Sequence, residues 1–161
     1  MEIRKADKQD LNEIQRIYAQ AREFQKSTGN PRQWAGGYPQ EEIILEDIEK
    51  GRLYVCTQDE RIGGVFMFSC EEEPTYRRIC QGSWPDELPY GVIHRIAGDG
   101  SIRGMAAECF RWCRQFQDRL RIDTHEDNRV MQHVLEKNGF VYCGLIYLEN
   151  GEERQAYQYT A

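Results

Sequence analysis

Hydrophobic positions change their spacing several times along the chain, and each change marks a new element. Apolar residues recur every three or four positions from about residue 10 until the Gly-Asn-Pro sequence at 29–31, which predicts a helix. A second helix is predicted from Glu41 to Lys50, because acidic residues favour the positive end of a helix and Gly51 favours its termination. Strands are predicted at 1–5, 52–58, 61–70, 90–97, 119–124, 140–148 and 152–159.

The second half of the chain alternates strands with single helices. One helix is predicted over about 103–118, and another opens at Asn128 and ends before Gly139, which suits the left-handed end of a helix. Asn-Gly at 150–151 predicts a two-residue hairpin turn. The resulting order is β-α-α-β-β-β-α-β-α-β-β. This order predicts one α/β domain over residues 1–161, with a mixed sheet and helices on both faces.

Composition narrows the class of protein. The chain has 161 residues and a net charge of -6, so a basic nucleic-acid-binding face is not expected. The mean hydropathy is -0.77, no apolar run approaches the ~18 residues of a membrane span, and the first residues lack an apolar signal region. We therefore expect a cytoplasmic protein that makes no use of a membrane, and the acidic charge favours a cationic substrate over an anionic one.

The six cysteines are expected to be reduced thiols rather than disulfides or metal ligands. No C-x-x-C pair occurs and no second cluster completes a zinc set, so no metal is expected. Cys109 and Cys113 are four residues apart on a predicted helix, which places both on one buried face.

The segment from residue 90 to 107 combines a buried strand, a turn of small residues and the start of a helix. The first amides of a helix lack partners and its start is effectively positive, so such a turn suits phosphate. Gly104 and Ala106 allow a ligand to approach the backbone, and Arg103 adds a charged donor. The alternative is a tight turn that is packed for reasons of the fold alone.

A second segment gives this turn its context. Asn128 follows a predicted strand, a helix comes next, and Lys-Asn-Gly-Phe closes it at 137–140. Together the two segments resemble the GNAT superfamily of acyl-CoA-dependent N-acyltransferases. That family's pyrophosphate loop reads Q/R-x-x-G-x-G/A, which Gly104 and Ala106 match, whereas Ser101 stands in place of Gln or Arg. Element order and length extend the resemblance over essentially the whole chain.

The resemblance implies that acetyl-CoA is the co-substrate and that an amine of a small molecule or peptide attacks it directly in a ternary complex. The fourth and fifth strands are then expected to diverge, so that the cofactor lies against the exposed fourth strand. The cofactor-binding residues implied are His94, Arg95, Ile96, Ser101, Ile102, Arg103, Gly104, Met105, Ala106, Ala107 and Asn128.

Catalytic groups follow less directly from the sequence. His94 is the candidate general base, because imidazole titrates near neutral pH and the residue lies on the fourth strand. Tyr90 stands where some family members carry a catalytic Glu, and it can orient a water. Many members have a Tyr seven residues after the Asn to protonate the departing thiolate, and here that position is Leu135. His94 and Tyr90 can equally serve only packing, His125 is expected to help start a helix, and His133 is expected to face solvent.

Aromatic residues in two irregular loops are candidate acceptor-site residues, since the family builds its acceptor site there: Trp34, Tyr38, Tyr76 and Trp84. Each of them can instead cover the core. The acidic run at 71–73 can attract an amine or simply be solvated. Two further interpretations stay open: a non-catalytic acyl-CoA-binding or regulatory module on the same fold, and an unrelated α/β binding domain. A monomer or a homodimer is expected, the latter through the C-terminal strands.

Overall fold

A seven-stranded mixed sheet organises the protein, which we describe from a computed structural model of all 161 residues. Its strands are ordered β1-β2-β3-β4-β5-β7-β6. The elements are β1 Glu2–Lys5, α1 Leu11–Ser27, α2 Glu41–Glu49, β2 Leu53–Gln58, β3 Arg61–Ser69, β4 Gly91–Gly98, α3 Met105–Cys113, β5 Arg119–Thr124, α4 Arg129–Lys137, β6 Val141–Tyr147 and β7 Glu153–Thr160. This order confirms the predicted succession of helices and strands. None of the four helices combines the length and apolar character needed to cross a membrane.

Alternating side chains bury both faces of the sheet. On one face, α1 and α2 cover strand residues such as Val55, Val65 and Met67. Ile14 and Ile17 of α1 pack into the same cluster. On the opposite face, α3 and α4 pack over a second cluster, which contains Cys56, Phe66, Phe68, Ile93, Ile102, Cys109, Phe110, Cys113, Leu120, Ile122, Leu135, Phe140 and Tyr157. Neighbouring strand residues therefore point to opposite cores, as the period-two pattern requires. Cys109 and Cys113 are fully buried there, on the face that their spacing predicts.

Two boundaries differ from the prediction. Helix α3 starts two residues later than predicted because Gly104 has a φ of 69°, which is left-handed and excludes it from the helix. The helix also ends at Cys113 rather than 118, where tighter turns replace it: Gln115 N donates to Trp112 O and Phe116 N to Cys113 O.

The C-terminal hairpin exists, but its connection is not the predicted two-residue turn. Leu148 N donates to Glu152 O at 2.8 Å, and Gly151 N donates to Leu148 O at 2.9 Å. Residues 149–151 thus form a three-residue loop, in which the left-handed position is taken by Gly151 with a φ of 84°. β6 lies at the edge of the sheet, and β7 pairs with both β5 and β6.

The parallel contact between β4 and β5 is short, and this sets the position of the site. Only Gly91 with Leu120 and Val92 with Arg121 are in register. Beyond Val92, β4 pairs only with β3, and β5 pairs only with β7. The two strands therefore separate in the middle of the sheet, as the resemblance implies. We call the space between residues 93–98 of β4 and 122–124 of β5 the β4–β5 gap.

Candidate active site

The β4–β5 gap opens into a cavity of about 840 Å³. β4 contributes His94, Arg95 and Ile96 to its lining, and the segment between α1 and α2 contributes Trp34 and Tyr38. Asn128, at the start of α4, lines it as well. The structure thus brings together six predicted site residues from three separate parts of the chain.

The start of α3 presents a run of backbone amides without acceptors. We call residues 102–107 the helix mouth. None of its amides donates a hydrogen bond within the chain, and the first one that follows, Glu108 N, donates to Gly104 O at 3.2 Å. Arg103 is exposed and has no carboxylate within ion-pair distance. Unpaired amides, a helix start and a free guanidinium together fit a phosphate group.

Glycines on the sheet allow the helix mouth to lie close to it. A Cβ on Gly64 of β3 would overlap Met105 Sδ, and one on Gly98 would lie 3.0 Å from the same atom. Ile102 is buried in the core on this side. Ser101 donates through both its amide and its hydroxyl to the carboxylate of Asp99, at 2.9 and 2.5 Å. The position where the family has Gln or Arg is therefore used to shape the turn.

His94 lies between two carboxylates. Its Nε2 is 3.4 Å from Glu73 Oε2, and its Nδ1 is 3.8 Å from Asp123 Oδ2. Tyr76 is fully buried, contacts the His94 ring edge-on, and donates its hydroxyl hydrogen bond to Asp123 at 2.6 Å. We call Glu73, Tyr76, His94 and Asp123 the histidine cluster. It is partly buried, with side-chain exposures of 24% for Glu73, 18% for His94 and 11% for Asp123.

Two ionisation shifts follow from this packing. The His94 imidazole lowers the pKa of Glu73 to about 2, against the opposing effect of burial, and Thr75 adds a hydrogen bond to the same carboxylate at 2.9 Å. Burial, followed by the charge of Asp123, raises the pKa of Tyr76 well above its ordinary value. At neutral pH the cluster therefore contains an ionised Glu73 and a protonated Tyr76.

A family comparison gives this geometry its context. The model of the family described as Acetyltransferase (GNAT) domain matches residues 1–141. The chain belongs to the GNAT acetyltransferase family. The predicted family, fold class and enzyme class are thereby confirmed, and the chain is an acyltransferase.

Solved structures agree with the GNAT assignment. A GNAT-family acetyltransferase from Streptococcus agalactiae 2603 is 32% identical over 99% of this chain and 95% of that chain, with a TM-score of 0.89. A GNAT-family acetyltransferase from Listeria monocytogenes 4b F2365 is 17% identical over 99% and 94%, with a TM-score of 0.71. A ribosomal-protein-alanine N-acetyltransferase from Brucella melitensis is 14% identical over 100% of both chains, with a TM-score of 0.58. The last two show the fold alone. A comparison with curated protein sequences gives no significant match.

Tyr90 and Trp84 lie beside the histidine cluster and outside the cavity lining. The Tyr90 hydroxyl accepts a hydrogen bond from Glu73 N at 3.0 Å, so it contacts the histidine cluster through the main chain. The Trp84 indole donates to Tyr76 O at 2.8 Å. Both rings pack on the guanidinium of buried Arg121, at 4.1 and 4.0 Å from its Cζ. These contacts attach the irregular segment between β3 and β4 to the sheet.

Asn128 connects the start of α4 to the segment between α1 and α2. Its Oδ1 accepts from Met131 N at 3.0 Å and caps α4, while its Nδ2 donates to Gln33 Oε1 at 2.8 Å. His125 Nδ1 accepts from Asp127 N at 2.9 Å, which supports the helix start, and burial lowers the pKa of His125. His133 is exposed. Leu135 is fully buried in the core cluster under α3 and α4, and it does not line the cavity.

The sequence indicates Glu73 only as one member of an acidic run that can attract an amine, and Asp123 is not among the predicted site residues. Glu73 belongs to an acidic run, which is usually solvated, and only its contact with His94 separates it from Glu71 and Glu72. Asp123 does carry a signal, since a carboxylate on an otherwise buried strand needs a partner. No group of three or more His, Cys, Asp or Glu side chains is arranged to hold a metal ion.

Proposed function

We propose that this GNAT protein transfers an acetyl group from acetyl-CoA to an amine of a small molecule or a peptide. One observation carries the proposal: β4 connects the histidine cluster to the helix mouth. His94 lines the cavity, and Gly98, four residues later, ends the strand just before the turn to α3. His94 pairs with Met67 and Gly98 with Gly64, three residues apart on β3, so at roughly 3.3 Å per residue about 10 Å of strand separates His94 from the turn to α3.

The helix mouth is the proposed site of the cofactor's diphosphate. Its unpaired amides and Arg103 supply donors, and the left-handed Gly104 has no atom within 4 Å of the place where a Cβ would stand. Acetyl-CoA, when bound, would supply the activated acetyl thioester. The proposed role of the main chain of His94, Arg95 and Ile96 is to bind that thioester and to stabilise negative charge that develops on its oxygen.

His94 is the proposed general base. An acceptor amine is protonated at neutral pH and must lose a proton before it can attack. Ionised Glu73 and neighbouring Asp123 attract the ammonium form, and they also stabilise the imidazolium that forms when His94 accepts the proton. Tyr90, which binds the amide of Glu73, acts in this proposal through Glu73 and not on the substrate.

The acceptor is proposed to bind in the cavity next to the histidine cluster. Trp34 and Tyr38 line this space, whereas Tyr76 belongs to the histidine cluster and Trp84 binds its main chain. The net charge of -6 and the carboxylates beside His94 favour a cationic amine. Leu135 supplies no proton, and none is required, because a thiol with a pKa near 8.5 departs as its thiolate.

Release of free thiol from acetyl-CoA tests the proposal directly. The protein is incubated with acetyl-CoA and a panel of primary amines that includes polyamines, amino acids and short peptides. We expect at least one amine to raise thiol release well above the amine-free rate, and mass spectrometry to find the acetylated amine. If CoA binds tightly but no amine in the panel raises thiol release above the amine-free rate, the result would instead favour a non-catalytic acyl-CoA-binding module.

A further inference from the structure

β4 contains a bulge at the point where it lines the gap. Val65 is in register with Ala97 and Met67 with His94, so two steps on β3 correspond to three on β4. Arg95 and Ile96 consequently have no partner on β3. Arg95 has a φ of 51°, a left-handed conformation that is rare for a side chain of this kind inside a strand. Such a conformation persists only where the surrounding structure holds it.

Buried groups from α1 and α2 hold this bulge. Tyr18 of α1 donates its hydroxyl hydrogen bond to Arg95 O at 2.8 Å. The Arg95 side chain turns toward α2, where Nε and Nη2 donate to Asp47 Oδ2 at 3.1 and 2.8 Å. Its Nη1 donates to the Tyr38 hydroxyl at 3.0 Å. Asp47 is 1% exposed, and its other oxygen accepts from Arg52 Nε at 2.7 Å.

Stability alone is a poor explanation for this ion pair. Two buried charges give up hydration, and their mutual attraction often does no more than offset that loss. Burial by itself disfavours the charged form of Arg95, yet Tyr38 and Asp47 outweigh burial and raise its pKa. The Arg95 side chain donates three hydrogen bonds, to Asp47 and Tyr38, and its carbonyl accepts a fourth from Tyr18. These four bonds fix both the position of Arg95 and its left-handed φ.

We propose that Asp47 and Arg95 are positioning residues, whose ion pair holds the β4 bulge so that the main chain of residues 94–96 faces the bound thioester. The inference rests on the proposed function, since it assigns a role to the strand that binds the acyl group. Neither side chain touches the reacting atoms in this account. Tyr38, which lines the cavity proposed for the acceptor, accepts a hydrogen bond from Arg95. The same hydrogen-bond network therefore contacts both the proposed acceptor site and the strand that binds the thioester.

Three variants separate positioning from general stability. Asp47→Asn keeps the size of the side chain and removes its charge, and Arg95→Lys keeps the charge but loses the planar fork. Asp10→Asn is the matched control, because Asp10 also binds an arginine, Arg4, through two hydrogen bonds of 2.8 and 2.9 Å. Arg4 of that control pair lies on β1, three strands away from β4, and Asp10 lies directly before α1.

Kinetics and CoA binding are measured below the melting temperature of every variant. We expect Asp47→Asn to lower kcat at least tenfold while the Kd for CoA stays within threefold, because the helix mouth is untouched. Arg95→Lys should give a smaller loss in kcat, and Asp10→Asn should leave kcat unchanged. The inference is overturned if Asp47→Asn keeps kcat within threefold of wild type, or if Asp10→Asn loses as much.

Hydrogen exchange supplies a readout that does not depend on turnover. We expect Asp47→Asn and Arg95→Lys to accelerate amide exchange at residues 94–97, while residues 61–64 at the start of β3 keep wild-type protection. Unchanged exchange at 94–97 in both variants would overturn the inference even if an active amine is found. If no amine is acetylated but exchange at 94–97 still accelerates, the proposed function fails while the role of the ion pair in holding the bulge stands.

Discussion

Replacing Gly104 by alanine tests the helix mouth through a single methyl group. Gly104 has a φ of 69°, and nothing lies within 4 Å of the added Cβ, so the substitution causes backbone strain without a steric clash. A left-handed alanine costs about 1–2 kcal/mol. For a chain of this size, that corresponds to a fall in Tm of about 2–8 °C. Gly29→Ala is the matched control, because Gly29 has a φ of 86° and equally open surroundings.

The two variants should differ in their affinity for CoA. The methyl group at Gly104 stands beside unpaired amides and obstructs the diphosphate. Loss of even one hydrogen bond to a charged group costs about 1.5–3 kcal/mol, which raises the Kd by roughly 10- to 100-fold. Gly29→Ala should melt lower by a similar amount and bind CoA like wild type. The Kd for CoA and the Tm of each variant are measured by calorimetry. Transfer rates are compared between acetyl-CoA and S-acetylpantetheine, a donor that lacks the diphosphate.

If Gly104→Ala binds CoA as tightly as Gly29→Ala does, the helix mouth does not hold the diphosphate. Equal weakening by both variants would show that strain anywhere in the chain affects binding. If Gly104→Ala slows transfer from S-acetylpantetheine as much as transfer from acetyl-CoA, its effect does not act through the diphosphate.

Three further predictions concern the histidine cluster and the sheet beneath the helix mouth. His94→Gln should lower kcat about 10²- to 10³-fold with an unchanged Kd for CoA, and a normal kcat in steady-state assays would exclude His94 as the base. Glu73→Gln should lower the free energy of unfolding at pH 7, because the pKa of Glu73 in the folded protein is about 2, below its ordinary value of 4.5. The stabilities of variant and wild type, measured by denaturation, should converge as the pH falls from about 4.5 to 2, and a constant difference would contradict this. Gly64→Ala should lower the free energy of unfolding by about 1–3 kcal/mol, because the added Cβ overlaps Met105, and adding Met105→Ala should restore part of that loss. If the effects of the two substitutions simply add in the double variant, the contact is absent.

The succession of elements could be predicted from the sequence because it depends on local patterns. Apolar residues at helical spacing indicate α1 and α2. Strands are indicated where successive side chains alternate between the two cores on either face of the sheet. The cap of α4 is equally local, since Asn128 accepts from an amide three residues later. The motif at residues 101–106 also depends on neighbouring residues only, and the helix mouth lies at that motif.

The remaining features of the site depend on contacts between distant residues. The histidine cluster joins Glu73, in an irregular segment, to Asp123, 50 positions further along, and no periodic pattern links the two. The β4 bulge is equally hidden, because arginine has no preference for a left-handed backbone. Its support, Asp47, is a polar residue on a short helix, and its burial appears only when α2 is packed on the sheet.

A crystal structure with acetyl-CoA bound would show where the diphosphate and the thioester lie. We expect the diphosphate to accept hydrogen bonds from amides of residues 102–107 and the thioester to lie in the β4–β5 gap beside residues 94–96, with the acetyl group facing His94. A diphosphate bound away from α3, or a thioester outside the β4–β5 gap, would contradict this expectation.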